Sequence, residues 1–507
     1  MSDDTGVQAE EHIRIAVIGS GFGGIGMGVR LREAGISDFV LLERADAIGG
    51  TWRDNTYPGC ACDVPSHVYS FSFAPNPRWR NSFSRQPAIR DYLERVTNDH
   101  GLRPHLRLRC EVLSAEWDDA AARWRLETTR GRYSADVLIS AAGPLADPLI
   151  PDLPGLDSFS GRIFHSSRWD HDYDLTGKRV AVVGTGASAI QFVPEIQPKV
   201  ASLVLFQRTP AWIMPRFDRT FSRAERRLYA RLPAAQLAAR AVLYATREAT
   251  VGAFVRRPGL LRLAQKLAAR NLRRHVRDPL LRAKLTPDYV MGCKRILLSN
   301  DFYPAVTRPN VEVIASGLAR LGEKTAVASD GTEREVDAVI FGTGFHTTDL
   351  PIAERIRGRT GLTLAETWKD GGMRALRGTT VAGFPNLFLL IGPNTGLGHN
   401  SMVYIIESQI AYVMDALRVM DERGLAALEP TAGAQEKWNA DIQRRMRRTV
   451  WQTGGCTSWY QDSTGNNPTL WPGSTLRFRR ATRRLDPAEY RMTVRTRRQE
   501  TAKAVAR

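Results

Sequence analysis

Residues 12–24 read HIRIAVIGSGFGG. A short apolar run over 12–18 meets Gly19, Gly21 and Gly24, and a helical pattern follows to about Glu33. The run has few polar breaks and reads as a buried strand. In a strand–turn–helix unit each glycine has its own task. Gly19 permits the tight turn, Gly21 lets a pyrophosphate approach the backbone, and Gly24 lets helix and strand pack closely. The phosphates then rest on the helix N-terminus, where free N–H groups and the dipole favour anions. A second strand, 38–42, ends in Glu43, at the spacing of an acid that binds ribose hydroxyls. Glycines alone are weak evidence. Strand before, helix after and acid beyond predict a dinucleotide site.

The pattern returns. Residues 178–183 form a strand that runs into Gly184, Gly186 and Ala189, a G-x-G-x-x-A turn. The next strand, 203–206, ends in Gln207, Arg208 and Thr209, where an NAD site would carry an acid. Arg208 can pair bidentately with a 2′-phosphate, and Thr209 can add a hydroxyl donor, so this site reads as NADPH rather than NADH. Closing strands also repeat, as DVLISAAG at 136–143 and DAVIFGTG at 337–344. The fold class is therefore α/β, with two Rossmann-like dinucleotide-binding domains. Residues 218–286 read as helices with basic outer faces. Their longest apolar stretch, 237–255, is broken by Arg240, Arg247 and Glu248, which favours an amphipathic subdomain over a membrane element. The expected division is 1–143 and 373–507 for the first domain, 144–217 and 287–372 for the second, and 218–286 for a helical insert.

Composition narrows the classes. At 507 residues the chain exceeds a single core, and 43% hydrophobic content is that of a folded protein. The net charge of +18 concentrates in 222–284 and in the tail after Ser474. Neither region has the interleaved aromatics of a nucleic-acid module, so solvated helix faces are expected and no nucleic-acid partner. The five cysteines are odd in number and scattered, and Cys60 and Cys62 flank a single Ala, which is neither a redox motif nor a zinc pair. No metal is expected. The polar, acidic start lacks a basic n-region and an apolar h-region, and no apolar run reaches about 18 residues. A reduced, cytoplasmic setting follows. The Arg-rich end after Ala481 is expected to be mobile.

Residues 159–170 read FSGRIFHSSRWD. Phe159, Gly161, His165, Trp169 and Asp170 match every fixed position of the F-x-G-x-x-x-H-x-x-x-W-[PD] fingerprint. Residues 49–63, GGTWRDNTYPGCACD, match [AG]-G-x-W-x-x-x-x-[FY]-P-[GM]-x-x-x-D in full. The chain thus resembles the type I Baeyer–Villiger monooxygenases over roughly 12–475. The resemblance implies FAD at the first site, beside Thr51 and Trp52, and a closing flavin segment at 392–401 that leads through Asn400 to a helix from Met402. It implies that Arg295 is the catalytic Arg, that Asp63 lies near the flavin and orients it, and that Lys294 holds the 2′-phosphate. His165 becomes a linker residue coupling domain motion to flavin reduction, and His399 is structural or flavin-adjacent. The implied reaction inserts one oxygen atom of O2 beside a ketone carbonyl, through a flavin C4a-peroxide, to give an ester or lactone. The alternatives are a flavin-containing monooxygenase acting on sulfur or nitrogen, or an uncoupled NADPH oxidase. Loops 64–80, 210–220 and 451–471 are expected to shape the cavity.

Overall fold

The computed structural model describes residues 10–495. Strands β1 (Glu11–Ile18), β2 (Phe39–Leu42), β3 (Leu106–Arg107), β4 (Val112–Asp118), β5 (Arg123–Thr128) and β6 (Gly131–Ser140) form one sheet, ordered β4-β5-β6-β1-β2-β3. β1 lies parallel to β2 on one side and to β6 on the other. Its inner residues are buried, as a strand covered on both faces requires. The helix Phe22–Glu33 follows β1 directly. A Cβ at Gly24 would stand 1.9 Å from the Gly19 carbonyl oxygen, so only glycine lets the helix start against its own turn.

The second sheet is wholly parallel. Its strands are β7 (Arg162–His165), β8 (Arg179–Val183), β9 (Ser202–Phe206), β10 (Val311–Ile314) and β11 (Ala338–Phe341), ordered β10-β9-β8-β11-β7. The chain then re-enters the first sheet. β12 (Ile356–Arg357) pairs with Ala115 and Glu116, and β13 (Leu387–Leu389) pairs with the end of β6. The boundary expected at 372 is therefore too late, because a two-residue strand leaves no periodicity to read.

Five helices, Arg223–Arg231, Pro233–Ala249, Val251–Val255, Leu261–His275 and Pro279–Lys284, make up the insert. Gln236 donates to the Asn76 carbonyl at 2.8 Å and Arg240 to that of His67 at 2.6 Å, which docks the insert on the first domain. Among the described residues no helix is long and apolar enough to cross a membrane.

Two expectations fail. The segment after Ala481 is built into the fold: β14 (Leu425–Pro430) pairs antiparallel with β15 (Tyr490–Val494). Tyr490 shares a 2.7 Å hydrogen bond with Tyr412, and Glu489 takes Arg377. The Arg-rich composition concealed a strand whose partner lies far back in the chain. The tail beyond Arg495 falls outside the described residues. The reduced setting expected from scattered cysteines also meets a counter-example, because Cys293 and Cys456 form a disulfide across 163 residues, a separation no local spacing announces. Cys60, Cys62 and Cys110 are free and buried.

Candidate active site

One cavity runs along the carboxyl ends of the first sheet. Ile18, Gly19, Gly21, Glu43, Thr51 and Trp52 line it, together with Ala142 and Asp147 and with Arg295, Met402, Trp459 and Tyr460. Ile25 makes the first intrahelical bond, 3.0 Å to the Gly21 carbonyl, so the amides before it are those a helix leaves without an internal acceptor. No acidic side chain stands in that first turn. A Cβ at Gly21 would find nothing nearer than 3.8 Å. This cradle fits a pyrophosphate. Glu43 lines the cavity, yet its oxygens are already engaged. Oε2 accepts from Ser20 N at 3.1 Å and Ser20 Oγ at 2.6 Å, and Oε1 accepts from Ala45 N at 3.0 Å and pairs with Arg53 at 2.8 Å. Glu43 thus fixes the turn and Arg53 while lining the cavity.

Trp52 Nε1 donates to the Tyr69 hydroxyl at 3.0 Å. Arg295 grips Asp63 in a fork: Nε to Oδ2 at 2.9 Å, and Nη2 to Oδ1 and Oδ2 at 2.7 Å each. Arg295 keeps 40% side-chain exposure and lines the cavity, while Asp63 keeps 20% and stands behind it. Burial alone would raise the Asp63 pKa, but the charge and hydrogen bonds of Arg295 hold it below the usual carboxylate range. The charge of Asp63 in turn raises that of Arg295, which stays protonated throughout. Arg247, from the insert, adds positive charge near Asp63. Burial pushes the Tyr460 phenol up to about 12, so it keeps its proton beside this pair. Met402 reaches the cavity. Asn400 does not: its side chain donates to Glu248 of the insert at 3.0 Å, which corrects its expected place on the cofactor. His399 also lies against Glu248, at 3.4 Å, and has a structural place.

The second glycine turn gathers a different set. A Cβ at Gly186 would meet nothing within 3.8 Å, and Ala189 opens the helix Ala189–Ile196. Thr185 Oγ1 donates to the Thr209 carbonyl at 3.2 Å, tying this turn to the strand end. Arg208 is exposed there. Burial and the charge of Arg208 lower the pKa of Lys294, whose ammonium stands 5.3 Å over the Tyr289 ring. Two cations held in mutual range make a site for a multiply charged anion.

The fingerprint stretch lies off the cavity. A Cβ at Gly161 would stand 2.4 Å from the Asp337 carbonyl oxygen, and the Phe159 ring crowds the same place. Trp169 packs edgewise on Phe164 and against Phe192, and Asp170 accepts from Arg162 at 2.6 Å. His165 is buried at the end of β7, its Nδ1 accepting the Ser167 N–H at 3.1 Å and its ring against Phe345, where the chain crosses between sheets. The second signature serves docking too. Tyr57 donates to Gln191 Oε1 at 3.1 Å, and a Cβ at Gly59 would come within 2.7 Å of the Gln191 carbonyl oxygen. Sequence reading missed Gln191, Glu248, Arg247 and Tyr69. Only the aromatic density of 451–471 signalled Trp459 and Tyr460.

Two nucleotide cradles flanking one charged pair define a two-nucleotide enzyme. Comparison with known proteins carries this further. The flavin-binding monooxygenase-like family matches residues 12–235. A Baeyer–Villiger monooxygenase of Streptomyces coelicolor is 61% identical, over 96% of this chain and 93% of its own. One from Pseudomonas aeruginosa is 51% identical, over 97% and 94%. Cyclohexanone monooxygenase from Rhodococcus sp. Phi1, solved with NADP+, superposes with TM-score 0.84 at 27% identity, over 96% of this chain and 100% of that one. The chain belongs to the Baeyer–Villiger monooxygenases.

Proposed function

We infer that the chain uses FAD and NADPH to insert one oxygen atom of O2 beside a ketone carbonyl, yielding an ester or lactone. The observation that carries this is the forked Arg295–Asp63 pair at a nucleotide cavity. FAD at the first cradle, reduced by NADPH, supplies the oxygen activation that no side chain can. The turn at Gly19 and Gly21 would hold its pyrophosphate, and Thr51, Trp52 and Met402 its ring end. Arg208, Thr209 and Lys294 would hold NADPH by its 2′-phosphate. The protein's own part is positioning and charge. Arg295 offers a permanent cation where negative charge develops as oxygen adds to the carbonyl, and a fixed donor in a low-dielectric pocket costs no reorganisation. Asp63 aims that guanidinium and keeps it from the apolar wall. Trp459 and Tyr460 exclude water. His165, on the crossing between sheets, serves as a hinge residue and not as an acid or base. A cytoplasmic setting belongs to the same proposal.

Both relatives carry the Baeyer–Villiger name, which favours carbonyl over heteroatom oxygenation. The test is aerobic turnover of the FAD-loaded protein with NADPH and a ketone panel under 18O2. Labelled ester or lactone is expected. Consumption of NADPH that yields only hydrogen peroxide across the panel, or label only in sulfoxides, would overturn the reading.

A further inference from the structure

The Cys293–Cys456 disulfide joins two stretches that meet at the charged pair. Cys293 is fully buried, with only Lys294 between it and Arg295. Cys456 opens the segment that brings Trp459 and Tyr460 to the cavity. Tyr460 itself is buried in a cluster with Trp451 and Leu470. Val290 N–H donates to the Gly454 carbonyl at 2.9 Å, and a Cβ at Gly454 would stand 2.6 Å from Cys293 Cβ, so the backbone lies directly on the bond. Beyond Cys456 the segment is anchored by Thr347 Oγ1 donating to the Trp459 carbonyl at 3.1 Å, by Gln461 Nε2 donating to Gln452 Oε1 at 3.0 Å, and by Asn394 Nδ2 donating to the Asn467 carbonyl at 2.8 Å. The two cysteines differ in exposure. Cys456 is half-buried between exposed Gly455 and Thr457, whereas Cys293 is shut in.

We propose that Cys293–Cys456 is a thiol–disulfide exchange site through which a protein dithiol sets how firmly the Tyr460 segment is held over Arg295. The reductant's thiolate attacks the sulfur of Cys456, the less buried of the two residues. The S–S bond breaks, and Cys293 leaves as a thiolate that takes up a proton. The reductant's second thiol then displaces Cys456 from the mixed disulfide. Two electrons pass to the enzyme, which gains two S–H groups, and the dithiol departs as its own disulfide. Loss of the cross-link lengthens the free span between Gly454 and Trp459. Tyr460 is then held by its cluster with Trp451 and Leu470 and by the Thr347–Trp459 hydrogen bond, and water gains access to the pair. That last consequence rests on the ketone-oxygenation reading above; the exchange site itself does not.

The experiment uses the full-length, FAD-loaded protein isolated without reductant, before and after dithiothreitol. Non-reducing peptide mapping is expected to show the peptide of Cys293 linked to that of Cys456. Deuterium uptake over 454–462 is expected to quicken roughly tenfold on reduction. Cys456→Ser, and Cys293→Ser from the other side, are expected to show the fast rate with or without dithiothreitol. These readouts need no substrate. With a ketone present, the share of NADPH electrons lost as hydrogen peroxide is expected to rise about threefold on reduction. No linked peptide, or uptake unchanged by reduction, overturns the exchange site. A changed uptake with an unchanged hydrogen peroxide share overturns its control of the reaction. A linked peptide and changed uptake, without ketone oxygenation in either state, uphold the exchange site and count against the assigned reaction alone.

Discussion

Asp63 and Arg295 stand 232 residues apart in the chain yet share three hydrogen bonds. Neither can be moved without stranding the other. Arg295→Lys keeps the charge and loses the fork, and is expected to cut ketone oxygenation about 100-fold while NADPH-dependent flavin reduction persists. Asp63→Asn keeps the shape and loses the charge. It is expected to lower oxygenation by a smaller factor, on the order of tenfold, because the guanidinium remains present but loosely aimed. Stopped-flow reduction set against product formation separates the two steps. Equal loss in both would remove these roles.

His165 carries a different signature. Burial lowers its pKa to about 4 from 6.5. The unfolded chain therefore binds a proton between those values that the native chain refuses. Stability is complete above about pH 6.5 and is lost as pH falls toward about 4, by up to about 3 kcal/mol from this ring. His67, also lowered to about 4 by burial, acts in the same window. His165→Asn retains an acceptor for the Ser167 N–H and does not titrate, so it is expected to flatten this slope. Urea unfolding at about pH 5 and about pH 7 checks it; an unchanged slope would place the acid sensitivity elsewhere.

At the scale of elements, Glu248 at the end of the helix Pro233–Ala249 is the insert's main attachment to the segment before the helix Met402–Glu422. It accepts from Thr475 N and Oγ1 at 2.7 Å each and from Asn400 at 3.0 Å. Burial opposes its charge, but His399, Thr475 and Asn400 hold the carboxyl down at about 2. Glu248→Ala leaves those donors unpaired and is expected to cost about 2–3 kcal/mol. The first sign is expected to be faster proteolysis within 223–284, ahead of any change in the glycine turns. Unaltered cleavage would mean that Gln236 and Arg240 suffice.

Elements also divide what sequence could say from what it could not. Both glycine turns were legible because their chemistry is local: strand, turn, helix and following strand fall within a few dozen residues. The pairing of Arg295 with Asp63 was legible only through family resemblance, since an isolated Lys-Arg reads as surface charge. Glu248 and Gln191 were not legible, because their partners lie on other elements and their own neighbourhoods are ordinary helix. Tyr490–Val494 failed for the same reason, its strand partner being Leu425–Pro430. Asn400 shows the converse: it precedes Met402 in the chain, but its side chain faces the insert.

For the whole molecule, a net charge of +18 sets a long-range field. NADPH is strongly anionic, and the site proposed for it is formed by the cations Arg208 and Lys294. Raising salt from about 50 to about 200 mM shortens the screening length and is expected to raise KM for NADPH several-fold with kcat nearly constant. A salt effect on kcat alone would contradict steering.

The second sheet is contiguous in sequence, whereas the first is assembled from both sides of it. On the ribosome, β7 through β11 have all been made once Phe341 is added, and they emerge as the following residues are joined. At that moment the helix Phe22–Glu33 still lacks its neighbour Met402–Glu422, whose Ile410 packs at Gly26. During synthesis, then, the later unit closes first and the earlier one waits with an apolar helix face uncovered. A nascent chain stalled before Met402, with Phe341 clear of the ribosome, would hold one finished domain and one sticky, unfinished one, and that interval is when a chaperone has something to bind.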